Sequence, residues 1–323
     1  MKQKTAENKT ERIKSRHMKQ RAERIRFLVY SKDKLKKNID RRIKMSRPEI
    51  GESVKTGKFT TNYLEVGEDH SGTPLLFIHG SGPGVSAYAN WRLVLPQVAE
   101  VVHAYAMDMV GFGYSDKPTG DEVDYGIDLW TQQIIDFIDA IGHEKVILVG
   151  NSFGGSLAFS VALKAPEKVE SIITMGAMGV EDDIPYGLDQ VWGYKGTEEH
   201  TGELIDLFTY DKKFADPELI KTRYEASLEP GFHEAFSSMF PHPRQSSMDD
   251  LTFPDERFKD IEHKTLLVHG RDDKVVPVKN SERLVHLLPN ADLHIFAGCG
   301  HWVQIEKSEE FSTLVKNFIK QNQ

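Results

Sequence analysis

A single cysteine, Cys299, stands in the 323 residues, so no disulfide can form within the chain; this suits a reducing compartment and an expected cytoplasmic location. No apolar run approaches the roughly 20 residues that a membrane-spanning helix needs. Phe27-Leu28-Val29-Tyr30 is too short for the apolar core of a signal peptide. No fixed-period repeat is present. The glycines nowhere form G-x-G-x-x-G, nor do they lead into Gly-Lys-Ser/Thr, so neither a dinucleotide nor a phosphate loop is indicated. Histidines and acidic residues nowhere adopt metal-ligand spacing, His269-x-x-Asp272 being isolated, and no metal or cofactor is expected.

What is present divides unevenly. The net charge of −8 conceals residues 1–48 with 18 Lys/Arg against 5 Asp/Glu, which leaves 23 against 44 in the remainder. An acidic body thus carries a basic extension. The extension has the charge of a nucleic-acid or membrane-surface tail, but the composition changes at Met45. Met45-Ser46-Arg47-Pro48 reads as an ordinary start, and residues 1–44 are expected to be dispensable or an artefact of start choice. Neither nucleic acid nor a membrane is expected as a partner.

The body alternates strand and helix signals. Phe59 to Val66 alternates like a strand, and Pro74 to Ile78 is continuously apolar, as in a strand buried on both faces. His79-Gly80-Ser81-Gly82-Pro83-Gly84 follows as a glycine-rich turn whose backbone N–H groups can approach a ligand closely. Asn90 to Glu100 reads as one helix blemished by Pro96. His103 to Asp108 is the next strand, and Asp108 is read as a turn-maker. An amphipathic helix runs from Ile127 to Ile141, stopped by Gly142. Lys145 to Val149 and Val169 to Met175 are buried strands. From Gly179 to about Asp260 strand signals give way to short helices, a pattern best read as an inserted cap. Thr265 to Gly270 and Ala291 to Phe296 restore the strands, with Ser281–Leu288 and Glu309–Lys320 as helices.

Gly150-Asn151-Ser152-Phe153-Gly154 reads G-x-S-x-G between an apolar strand and a small-residue helix, the context of a nucleophile elbow. There Ser152 is the nucleophile, and the Phe153 N–H is free for an oxyanion. An acid follows on a post-strand turn, Asp273 preferred over Asp272, and then His301 after the last strand. All three positions follow apolar runs, and in an open α/β sheet such ends gather at one edge. In that arrangement His301 takes a proton from Ser152 or from substrate, and the carboxylate orients the imidazole. His269 and His294, inside strands, read as structural or surface residues, and Cys299 as packing.

Six motifs together resemble the α/β-hydrolase superfamily and, within it, the meta-cleavage product hydrolases. They are His79 to Gly84 with Asn90-Trp91-Arg92; Asp108 to Tyr114; Gly150 to Gly155; Arg223-Tyr224-Glu225-Ala226-Ser227; Met239-Phe240-Pro241 with Pro243-Arg244-Gln245; and Cys299-Gly300-His301-Trp302-Val303-Gln304. The cap segments are similar to those of the 2-hydroxymuconate semialdehyde hydrolase branch.

The resemblance implies an α/β-hydrolase fold: a mostly parallel central sheet flanked by helices, with residues 49–178 and 261–323 as core and 179–260 as helical cap. It implies a serine-dependent hydrolase without cofactor that splits a carbon–carbon bond in 2-hydroxy-6-oxo-2,4-dienoates. It further implies Arg223 gripping the C1 carboxylate, Asn90, Asn151 and Trp302 completing the polar end, Ser81 with Phe153 forming the oxyanion hole, and a homo-oligomeric state. A carboxylesterase shares the Ser152/Asp273/His301 set but has no need of Arg223 or Asn90. Dehalogenases and epoxide hydrolases of this fold use an aspartate where this elbow has Ser152. A ligand-binding receptor would not need an intact triad.

Overall fold

The structure, a computed structural model, describes residues 47–322. The expectations for residues 1–44 lie outside the described residues. Residues 49–323 form one unit. Its frame is an eight-stranded sheet in the order β1-β2-β4-β3-β5-β6-β7-β8. The strands are β1 (Glu52–Thr56), β2 (Phe59–Val66), β3 (Leu75–Ile78), β4 (Ala104–Met107), β5 (Val146–Asn151), β6 (Val169–Met175), β7 (Thr265–Gly270) and β8 (Ala291–Phe296). β1 and β2 form an antiparallel hairpin, and β2 runs antiparallel to β4. From β4 through β8 every pairing is parallel.

The alternation of side chains along a strand explains the two-sided core. Leu76, Ile78 and Leu148 face one hydrophobic cluster, while Leu75, Phe77 and Val149 face the other. Helices cover both faces: Ile127–Ala140 and Phe153–Lys164 on the first, Ser308–Asn322 on the second. The stretch read as one helix from Asn90 to Glu100 is two, Ala87–Trp91 and Leu95–Val98. Pro96 stands in the first turn of the second, where its missing N–H costs no helical bond.

Between β6 and β7 lie six α-helices: Tyr186–Trp192, Glu198–Phe208, Pro217–Ser227, Phe232–Met239, Gln245–Asp250 and Asp255–Phe258. The base of this insertion is closed. Val180 and Phe253 form an isolated parallel bridge, and Phe253 N–H donates to Gly179 O at 2.7 Å. Ser156 Oγ, on the helix after β5, donates to Leu251 O, and Asp250 Oδ2 accepts from Ile127 N–H at 2.7 Å. Among the described residues no helix is long and apolar enough to cross a membrane.

Candidate active site

The parallel strands end together, and the turns beyond β3, β5, β7 and β8 carry Ser81, Ser152, Asp273 and His301. Ser152 follows β5 directly and precedes the helix Phe153–Lys164. It is the one non-glycine residue with positive φ among the described residues, at 54°. Such a conformation costs of order 1–3 kcal/mol and persists only where the surroundings enforce it. Here close packing does so: a Cβ on Gly154 would stand 2.8 Å from His79 O. The Ser152 side chain thereby borders the cleft at a helix N-terminus. No bond engages the Phe153 N–H among the described residues, while the Phe153 ring is anchored edge-on to Trp130, 4.8 Å between centroids.

His301 Nδ1–H donates to Asp273 Oδ2 at 2.7 Å, leaving Nε2 for chemistry. Asp273 Oδ1 accepts from Val275 and Val276 N–H at 2.8 and 2.9 Å, which fixes the carboxylate in its turn. Burial alone would raise the Asp273 pKa. The charge of His301 and the hydrogen bonds from His269 and His301 outweigh it and hold the carboxyl well below the usual range. Asp272 points elsewhere, accepting from Gly298 N–H at 3.0 Å. Gly176, at φ +54°, packs against the pair: a Cβ there would lie 3.2 Å from the His301 ring. Among the described residues no hydrogen bond joins Ser152 Oγ to His301; both line one cleft. Catalytic bonds of this kind commonly tighten only with substrate bound.

Ser81, Asn90, Asn151, Arg223 and Trp302 share that cleft, with Leu188, Val191 and Val275 as apolar lining. Arg223 is only 7% exposed. Its Nη1 donates to Gly84 O at 3.0 Å, and its guanidinium sits 5.2 Å over the Trp302 ring, which stacks on Phe208 at 4.6 Å. No carboxylate pairs with it among the described residues. Burial, then the nearby Arg92 charge, lower its pKa to about 9, so the group stays cationic at neutral pH. A desolvated cation without a counter-charge is costly, and an anionic ligand relieves that cost. Asn90 is 2% exposed; its Oδ1 accepts from Gln304 Nε2 at 3.4 Å and its Nδ2 has no partner among the described residues. Asn151 Nδ2 donates to Met175 O at 3.2 Å.

Other expected roles are placed by their partners. Asp108 accepts from Ala87 and Tyr114 N–H at 2.6 and 2.7 Å and from Asn62 at 2.8 Å, as a turn-maker does. Burial pushes the Cys299 thiol up, so it is not a ready nucleophile.

Two residues that matter here escape sequence reasoning. His269, expected as a structural or surface residue, is fully buried with Nε2 at 3.2 Å from Asp273 Oδ2 and 2.9 Å from Val276 O. Glu306 accepts from Gly300 N–H at 2.6 Å through Oε2 and from Tyr210 and Asp211 N–H at 3.0 and 2.8 Å through Oε1. One carboxylate so ties the histidine turn to the insertion. Among the described residues no group of three or more His, Cys, Asp or Glu is placed to hold a metal ion.

A parallel sheet with a strained serine at a strand-to-helix elbow and a His–Asp pair beyond the last strands defines an α/β hydrolase. Residues 73–308 match the family described as alpha/beta hydrolase fold. A 2-hydroxy-6-oxo-2,4-heptadienoate hydrolase of Pseudomonas putida is 45% identical over 271 residues, covering 84% of this chain and 96% of the relative. A 2-hydroxymuconate semialdehyde hydrolase of a Pseudomonas species is 43% identical over 272 residues, covering 84% and 94%. The solved structure of a meta-cleavage product hydrolase from Pseudomonas fluorescens superposes with a TM-score of 0.83 at 46% identity, covering 86% of this chain and all of that one. The chain belongs to the α/β-hydrolase family and, within it, to the meta-cleavage product hydrolases.

Proposed function

We propose that the protein hydrolyses the C5–C6 bond of 2-hydroxy-6-oxo-2,4-dienoates in the breakdown of aromatic compounds, giving 2-hydroxypenta-2,4-dienoate and a carboxylic acid. The observation that carries this is Arg223, a buried cation without a carboxylate partner in the same cleft as Ser152 and His301. A simple ester gives it nothing to bind, whereas a dienoate brings the C1 carboxylate.

The C5–C6 bond breaks only when its electron pair has a sink. The dienol must first ketonise, C5 gaining a proton, so that the C2 ketone can accept the pair. Arg223 and the Asn90 amide hold the carboxylate and 2-oxo end, with Asn151 and Trp302 completing that wall. His301 takes the Ser152 proton as Ser152 attacks C6, and Asp273 stabilises the imidazolium. The developing oxyanion is held by Phe153 N–H and Ser81. Collapse expels the dienol, and water then releases the acid. Residues 179–260 act as a cap that excludes water from the cleft. The same reading places the enzyme in the cytoplasm as a homo-oligomer.

The test is loss of the yellow dienolate absorbance with the ring-fission product of catechol or 3-methylcatechol, beside a p-nitrophenyl ester. Wild type is expected to bleach it rapidly, Ser152→Ala to lose about three orders of magnitude or more in kcat, and Arg223→Ala to raise KM by about 100-fold, the worth of a charged hydrogen-bond pair. Ester turnover without bleaching, indifferent to Arg223→Ala, would make the protein a carboxylesterase.

A further inference from the structure

A serine hydroxyl has one proton to give and two lone pairs to receive with. The Ser81 hydroxyl receives one bond, from the indole N–H of Trp192 at 2.9 Å, in a buried setting. An indole nitrogen only donates, so the direction is settled. Among the described residues nothing accepts the Ser81 proton, and Ser81 borders the cleft. Trp192 itself does not line the cleft. It ends the helix Tyr186–Trp192, and its ring is held flat against Phe240, 4.4 Å between centroids and 5° from parallel. That stack fixes where the N–H points.

We propose that Trp192 is a positioning residue: by occupying one lone pair of Ser81 Oγ from the helical insertion, it turns the Ser81 proton into the cleft as a second oxyanion donor beside Phe153 N–H. This rests on the proposed role of Ser152 as nucleophile. Accepting the indole bond also polarises the hydroxyl, making it a stronger donor. The oxyanion hole is then formed by the elbow and by the turn after β3, with the insertion aiming the second donor.

The experiment is a double-mutant cycle of wild type, Trp192→Phe, Ser81→Ala and the double variant. Phenylalanine keeps an aromatic ring against Phe240 and removes the donor. Each protein is assayed for dienolate bleaching and for acylation by p-nitrophenyl acetate. Trp192→Phe is expected to lower kcat by about tenfold, less than the 100–1000-fold of deleting a donor outright, with KM within about twofold. In the Ser81→Ala background the same change is expected to do nothing, because no hydroxyl remains to be aimed. An unchanged kcat in Trp192→Phe, or an equal loss in both backgrounds as a general packing defect gives, overturns the proposal. Trp192→Met, which also lacks the donor, replaces the phenylalanine variant if that does not fold. A wild type that acylates but does not bleach the dienolate refutes the carbon–carbon reading alone, and the ester arm still decides the role of Trp192.

Discussion

His79 shows how much one buried side chain settles at the rim of the cleft. Its Nε2 accepts from Met109 N–H at 3.0 Å and its Nδ1–H donates to Gly80 O at 2.7 Å, an arrangement open only to the neutral ring. Burial, with the Arg223 charge adding to it, lowers its pKa to about 4. A group whose pKa is depressed on folding stabilises the fold above its unfolded value, near 6.5, and loses that contribution as pH falls toward the folded value. We expect stability to decline between about pH 6.5 and 4 by up to about 3 kcal/mol from this residue. Denaturant unfolding across that range checks it, and His79→Gln, which cannot titrate, flattens the decline. The residue scale is also where the sequence was least complete. Ser152, Asp273 and His301 are legible because each sits just past an apolar run. His269 is hidden by lying within one, and the Trp192–Ser81 bond joins positions too distant for any local pattern to register.

At the scale of elements, apolar runs announced β3 to β7 because parallel strands are buried on both faces and carry no alternation to misread. β1 went unread: Glu52-Ser53-Val54-Lys55-Thr56 is a polar edge strand whose partner, β2, supplies the pairing. Within the stretch read as short helices, Tyr186–Trp192 has no period of its own to mark it, being seven residues long with a glycine in its first turn. Its existence depends on the stack at Trp192 and on burial of Leu188 and Val191 rather than on helix propensity. The link between elements that sequence cannot show is the Glu306 carboxylate. Glu306→Ala strips acceptors from three N–H groups at the junction of the histidine turn and the insertion. We expect it to destabilise the fold by about 2 kcal/mol and to lower kcat about tenfold, since a small misplacement of a catalytic group is costly. Thermal unfolding and steady-state kinetics on the same preparation check both.

For the molecule as a whole, charge opposes the substrate that the cleft receives. The chain carries −8 overall, and the residues after 48 carry 44 acidic against 23 basic side chains. On the proposed function a carboxylate substrate therefore approaches against a repulsive field, and the buried Arg223 captures it. Salt weakens the first effect more than the second, because exposed charges are screened and buried ones much less. We expect kcat/KM for the dienoate to rise about two- to threefold between about 10 and 150 mM ionic strength, which initial rates at low substrate measure directly. At the foot of the helical insertion the chain leaves and rejoins the sheet side by side, where Val180 meets Phe253. A segment held this way can be exchanged between relatives as a cassette, its two cut ends already adjacent, while the sheet keeps its register. The cassette carries Arg223 and Trp192 while Ser81 and Phe153 stay with the sheet, so on the proposed roles descent by such exchange would move the cation that grips the acid and the indole that aims Ser81 in one step. A recipient scaffold would inherit a substrate preference without altering a strand.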